Sequence, residues 1–272
     1  MTQIAFIGGG NMATAIIGGL LRQGDLSAQL IQVSDPGEDK RQTLANTFGI
    51  QTFADNLEAI RNADTVILAV KPQMMKGVLQ PLRETLKTRQ PLLVSIAAGI
   101  TLSNLSQWSG CNAIVRCMPN TPALLGAGAT GLIASDGVSI NQRNGADRLL
   151  QATGSTVWLK DEQELDIVTA LSGSGPAYYF LMMEAMIAAA TRLGLSEDTA
   201  RALTVQTALG AGMMASQSDV GPAELRRRVT SPGGTTERAI FTFEGAHIRD
   251  IVQAAMSAAQ ERAAEMNREL SE

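Results

Sequence analysis

Residues 4–13 limit the possible folds of this chain more than any other stretch. Ile4-Ala5-Phe6-Ile7 is an apolar run of strand length, and Gly8-Gly9-Gly10-Asn11-Met12-Ala13 leads from it into a helical run, Asn11–Arg22. The pattern G-x-G-x-x-G/A between a buried strand and a helix marks a dinucleotide-binding crossover unit. Gly8 allows the tight turn, Gly10 lets a pyrophosphate approach the backbone, and Ala13 keeps helix and strand close. Bare N–H groups at the helix start and the helix dipole both attract the phosphates. The alternative is a glycine-rich turn with no ligand. The strand before it and the helix after it argue for the ligand.

The same alternation fills the first half of the chain. Leu30–Ser34, Thr65–Val70, Leu92–Ile96 and Ile114–Cys117 read as strands, and a polar helix over Gly37–Phe48 ends at Gly49. Ala129–Ala134 and Thr156–Leu159 read as later strands. Such alternation implies crossover units and a parallel sheet covered on both faces. The expectation is an α/β fold, with a Rossmann-type doubly wound sheet over residues 1–160. From Glu162 onward the pattern is helical only: Glu162–Leu171, Pro176–Leu193, Ser196–Ser216, Pro222–Val229, Glu237–Phe243 and Ile248 onward. Residues 161–272 are therefore expected to form an all-α dimerisation domain that also binds substrate. Pro176–Leu193 has almost no polar face, and a helix apolar all round must be buried all round. Another subunit is expected to cover it.

Composition removes several classes of function. The formal net charge is -4, and the basic cluster Arg226-Arg227-Arg228 spreads around a helix, so no nucleic-acid partner is expected. His247 is the one histidine, too few for a Ser-His-Asp triad or a His-rich metal site, so no metal is expected. Cys111 and Cys117 form no CxxC pair and suit a reducing cytoplasm. Ile4–Ile7 is too short for a signal peptide, and Glu184 interrupts the apolar stretch Ala177–Ala190, so no membrane segment is expected.

The second chemical signal is Ser231-Pro232-Gly233-Gly234-Thr235-Thr236. A proline and two glycines leave backbone N–H groups bare ahead of a helix, and two hydroxyls stand beside them. The stretch suits a small carboxylate, although an N-capped surface helix has the same composition. Other loops fall at strand ends, where ligands bind in open α/β sheets. Val33-Ser34-Asp35-Pro36 reaches the adenine ribose or is an ordinary turn. There Ser34 can take a 2′-phosphate, and Asp35 would repel one if it points inward. Lys71, held extended before Pro72, is a catalytic acid or a solvated lysine. Ile96-Ala97-Ala98-Gly99 has small residues that let a flat ring approach, and Asn120 offers an amide. Leu171–Pro176 is a phosphate cradle or a tight packing turn. Glu162 and Glu184 are candidate acids.

Taken in order, GGGNMA, AVKP, SIAAG, CMPNTP, LSGSGPAY and SPGGTT resemble the pyrroline-5-carboxylate reductase family over nearly the whole length. LSGSGPAY and SPGGTT carry most of the specificity. The resemblance implies reduction of a small cyclic imine carboxylate to L-proline, usually with NADPH. It implies a homodimer interlocked through the helical domain, with dimers commonly assembled in rings of five to a decamer. It places cofactor contacts at Gly8, Gly10, Asn11, Met12, Ser34, Asn56, Val70, Lys71 and Ala97. The substrate carboxylate falls to Ser231, Gly234 and Thr235, and the hydroxyl near the ring nitrogen to Thr236. A substrate-side glutamate matches Glu162. Asp35 departs from members with a neutral or basic residue after the serine, which leaves NADH open as the cofactor. Two other readings remain at this level. A β-hydroxyacid dehydrogenase would carry a lysine on the helix Pro176–Ala190, which has none. A non-catalytic NADP-binding sensor would have no need of SPGGTT.

Overall fold

The computed structural model describes residues 3–24 and 26–270. The first half alternates short strands, most of them apolar, with helices that cover the faces of the sheet. In order these are β1 (Ile4–Ile7), α1 (Asn11–Gln23), β2 (Ile31–Ser34), α2 (Glu38–Phe48), β3 (Gln51–Phe53), α3 (Asn56–Ile60), β4 (Thr65–Leu68), α4 (Met75–Arg89), β5 (Leu92–Ser95), α5 (Leu102–Ser109) and β6 (Ile114–Met118). Then come β7 (Gly128–Ala134), α6 (Ile140–Gln151), β8 (Gly154–Trp158) and α7 (Glu164–Val168). The remaining helices are α8 (Gly175–Arg192), α9 (Glu197–Gln217), α10 (Pro222–Arg228), α11 (Thr235–Gly245) and α12 (Ile248–Glu269).

The strands form one sheet in the order β3-β2-β1-β4-β5-β6-β7-β8. Strand order reverses between β1 and β4, the switch point of a doubly wound sheet. Side chains of a strand alternate between the two faces. Ile4 and Phe6 of β1 therefore join a core with Ile16 and Ile17 of α1 and Leu149 and Leu150 of α6. Ala5 and Ile7 face a second core with Leu79, Leu82 and Leu86 of α4 and Leu105 and Trp108 of α5. Burial on both faces explains why the inner strands read as continuous apolar runs.

The structure departs from the sequence expectations in three places. The sheet is not wholly parallel, because β7 runs antiparallel to β6. The short connection 119–127 holds no crossover helix, and a parallel return needs one. β3 is an edge strand of polar and half-buried residues, so it lacks the apolar run that marks the others. After α7, residues Thr169–Gly173 widen into a π turn instead of continuing the helix to Leu171.

Two compact units result, Met1–Ser174 with Ala258–Glu272, and Gly175–Ser257. The change from strands to helices near residue 160 lies inside the first of them, since α7 packs on β6 and β7. The end of α12 also belongs to it. Leu270 packs against the second core cluster, and Asn267 Nδ2 donates to Asp166 Oδ1 at 2.8 Å. Both cysteines are buried in this unit, and desolvation pushes the Cys111 thiol up to about 11 and the Cys117 thiol up to about 12. Neither is a nucleophile at neutral pH.

In the second unit α8 packs on α9, yet α8 leaves Tyr179, Phe180 and Leu181 at 71%, 63% and 66% exposure. Among the described residues no helix is long and apolar enough to cross a membrane.

Candidate active site

The predicted cofactor positions gather at one edge of the sheet. Gly8 to Met12 follow β1, Ser34 ends β2, Asn56 opens α3, Val70 and Lys71 follow β4, and Ala97 follows β5. These are the carboxyl ends of adjacent parallel strands. Gly8 has φ +99°, and a Cβ there would lie 2.6 Å from the Ala69 carbonyl oxygen, so only glycine fits. A Cβ on Gly9 would lie 2.7 Å from Leu44 Cδ1. Gly10 differs, because the protein leaves nothing within 4 Å of its Cβ position. That open space lies at the N-cap of α1, whose first intrahelical bond is Thr14 N–H to the Gly10 carbonyl at 2.9 Å. The N–H groups of Asn11, Met12 and Ala13 precede that bond, so helix start and open space together fit a pyrophosphate.

At the ribose end the side chains are taken up by the protein's own backbone. Ser34 is fully buried, and its hydroxyl donates to the Phe6 carbonyl at 3.3 Å. Asp35 is 6% exposed. Its Oδ2 accepts the Gly9 N–H at 3.0 Å and its Oδ1 accepts the Gly37 N–H at 2.9 Å. Lys40 Nζ stands 3.7 Å from Oδ2. The Asp55 side chain caps α3 through the Leu57 N–H at 2.9 Å and leaves Asn56 half-buried at the helix start. Lys71 is exposed.

The loop Ser231–Thr236 lies in the second unit and is a tight turn. Gly233 adopts φ +72°, and the Gly234 N–H closes the turn onto the Ser231 carbonyl at 3.0 Å. Pro232 and Gly233 supply the φ values that a type II turn requires. Gly234 is the N-cap of α11 and has no side chain to cap it. The first bond inside α11 is Arg238 N–H to the Gly234 carbonyl at 3.3 Å, which leaves the N–H groups of Thr235, Thr236 and Glu237 pointing past the helix start. Among the described residues the hydroxyls of Ser231, Thr235 and Thr236 make no hydrogen bond. The result is a set of open N–H donors with hydroxyls beside them, an arrangement suited to an anion. Glu237 was not singled out in the sequence, yet its Oε2 accepts the Gly233 N–H at 2.8 Å and braces the turn. An acid in the first turn of a helix was the available signal.

Glu162 belongs to the first unit and is engaged there. Its Oε1 accepts the Leu102 N–H at 2.7 Å at the start of α5 and also pairs with Arg116. The Arg116 residue is 5% exposed. The Asn120 amide is committed too, donating to the Ser172 carbonyl at 3.0 Å and accepting the Ala129 N–H at 2.9 Å. It fastens the 119–127 connection to the turn before α8.

Comparisons with known proteins bear on the family. A family model described as pyrroline-5-carboxylate reductase dimerisation matches residues 162–266, and one described as NADP oxidoreductase, coenzyme F420-dependent, matches residues 3–99. A pyrroline-5-carboxylate reductase of Pseudomonas aeruginosa is 54% identical over 271 residues, covering 99% of this chain and 98% of that protein. One from Glycine max is 38% identical over 266 residues, covering 97% and 96%. A solved pyrroline-5-carboxylate reductase from Coxiella burnetii superposes with a TM-score of 0.94 at 43% identity, covering 97% of this chain and 98% of that one. A Plasmodium falciparum pyrroline carboxylate reductase solved with NADP bound gives 0.85 at 29%, covering 98% of each chain. The switch-point cradle, the SPGGTT turn and these full-length likenesses converge: the chain belongs to the pyrroline-5-carboxylate reductase family.

Proposed function

We propose that the chain reduces L-1-pyrroline-5-carboxylate to L-proline by hydride transfer from NAD(P)H, the last step of proline biosynthesis. The observation that carries this reading is the Ser231–Thr236 turn, where open helix N–H groups and free hydroxyls stand together. In this reading residues 1–160 hold the cofactor, and residues 161–272 hold the substrate and the dimer contact. Gly8, Gly10, Asn11 and Met12 hold the pyrophosphate, Asn56 serves the adenine ribose while Ser34, its hydroxyl held by the Phe6 carbonyl, shapes the end of β2 beneath it, and Val70, Lys71 and Ala97 serve the nicotinamide side. When bound, the reduced nicotinamide supplies the hydride.

The chain's own residues bind and orient. Ser231 and the Thr235 N–H hold the carboxylate, and Gly234 shapes the turn that presents them. Thr236 directs its hydroxyl to the ring nitrogen and positions the proton there. A protonated imine needs little acid catalysis, which suits a chain whose one histidine is exposed. Glu162 serves by fixing the start of α5 behind the Ala97 loop.

NADPH is the preferred cofactor in this reading, by about tenfold over NADH or about 1.4 kcal/mol. Support comes from the NADP oxidoreductase match over residues 3–99 and from the relative solved with NADP. Oxidation of NADPH and NADH, measured with the five-membered imine beside a six-membered one, tests both claims. Turnover of the five-membered ring with NADPH favoured is expected. Tight NADPH binding without turnover of either imine would identify a sensor, and a strong NADH preference would reverse the cofactor assignment.

In this reading the chain works in the cytoplasm as a homodimer joined through its helical unit, with five dimers closing a decamer. Its exposed apolar residues on α8 are continued by Leu209, Met213 and Met214 on α9. Obligate interfaces of this kind bury on the order of 2,000 Å² or more. Sedimentation should find no active monomer at nanomolar concentration; a stable active monomer would overturn the assignment.

A further inference from the structure

We propose that Asp35 is a positioning residue for the dinucleotide, tying the glycine turn after β1 to the turn before α2, and that it does not select between phosphorylated and unphosphorylated ribose. This rests on the nicotinamide reading above.

An acid just past the second strand ordinarily reads as a ribose ligand. Here its carboxylate faces into the protein. Two backbone N–H groups from different loops converge on it, Gly9 at 3.0 Å on Oδ2 and Gly37 at 2.9 Å on Oδ1. Only a carboxylate can accept on both oxygens. An asparagine would turn its NH₂ group against one of the two N–H donors. The surrounding bonds lock the same turn. The Asp35 N–H donates to the Phe53 carbonyl at 3.2 Å, and the Gly8 N–H to the Ser34 carbonyl at 2.8 Å. Arg41 Nη1 donates to the Asp35 and Pro36 carbonyls at 2.8 and 2.9 Å. Lys40, 3.7 Å from Oδ2, partly offsets the carboxylate's charge.

The consequence concerns which N–H groups the pyrophosphate meets. Gly9 cannot offer its own, because Asp35 holds it. Gly10, with open space at its Cβ position, and the start of α1 carry that duty instead. Holding Gly9 fixes the angle at which Gly10 and α1 are presented, so Asp35 acts on the cofactor through the backbone.

The test is Asp35→Asn, with steady-state kinetics against NADPH and NADH. Removing one charge-assisted bond should raise KM for both cofactors by about tenfold. The preference between the two should stay within about twofold of wild type, and kcat at saturation and KM for the imine should hold. A tenfold rise in NADPH preference would show that the carboxylate faces the 2′-position, and unchanged KM values would show no positioning role. Either overturns the proposal. Should the variant fail to fold, hydrogen exchange at the Gly9 amide of the wild-type protein decides: slow exchange before cofactor is added is expected, and fast exchange overturns it. Wild-type protein that binds neither dinucleotide would defeat the nicotinamide reading itself.

Discussion

Thr236→Val should lower kcat by about tenfold to a few hundredfold, with cofactor affinity unchanged. The substitution keeps the β-branched shape at the start of α11 and removes one hydroxyl that makes no hydrogen bond within the described residues. A neutral hydrogen bond contributes about 0.5–1.5 kcal/mol and one to a charged partner about 1.5–3 kcal/mol, and the charged range applies if the ring nitrogen is protonated. An interaction with the reacting nitrogen that is stronger in the transition state than in the bound ground state appears in kcat. Ser231→Ala is the contrast. It lies across the turn from α11 and should raise KM for the imine by about fivefold to tenfold with kcat within about twofold. Steady-state kinetics on both variants at saturating NADPH separates the roles. A Thr236→Val enzyme with wild-type kcat would mean that solvent or the substrate's own proton suffices.

Glu162→Ala should destabilise the protein by about 3 kcal/mol, because it strands the buried Arg116 guanidinium and removes the acceptor of the Leu102 N–H. The value sits at the low end for buried pairs, since the Glu162 side chain is 31% exposed. In thermal unfolding the loss corresponds to roughly 5–10 °C. Glu162→Gln keeps an acceptor for the Leu102 N–H and should lose less. Arg116→Met combined with Glu162→Leu should recover most of the loss of Glu162→Ala, since replacing both partners leaves no stranded charge. If Glu162→Ala melts like wild type and shows only a raised KM for the imine, Glu162 is a substrate contact and not a brace.

Much of this was legible in the sequence because the signals are local. Gly8, Gly10 and Ala13 sit at fixed offsets after an apolar strand, and the Ser231–Thr236 stretch carries its turn chemistry in its own residues. What escaped depends on partners distant in sequence. Asp35 reads as a charge that could repel a 2′-phosphate until the Gly9 N–H, 26 positions away, is seen on its carboxylate. Arg116 lies in the apolar strand Ile114–Met118, where nothing local says that an acid 46 positions on will meet it. β3 escaped because an edge strand buries little, and burial is what writes the apolar pattern. The antiparallel β7 was hidden because periodicity reports strands but not their direction.

The tail of α12 carries a consequence for the order of folding on the ribosome. A Cβ on Gly99 would lie 2.7 Å from Leu270 Cδ1, so the backing of the loop after β5 is made by a residue synthesised long after the loop itself. The first unit therefore emerges early as sheet and helices but stays open beneath Gly99 until the last turn of α12 arrives. Nascent chains stalled before that turn should hold a loosened Ala97–Gly99 loop and exposed apolar surface, the condition in which partly made proteins recruit chaperones.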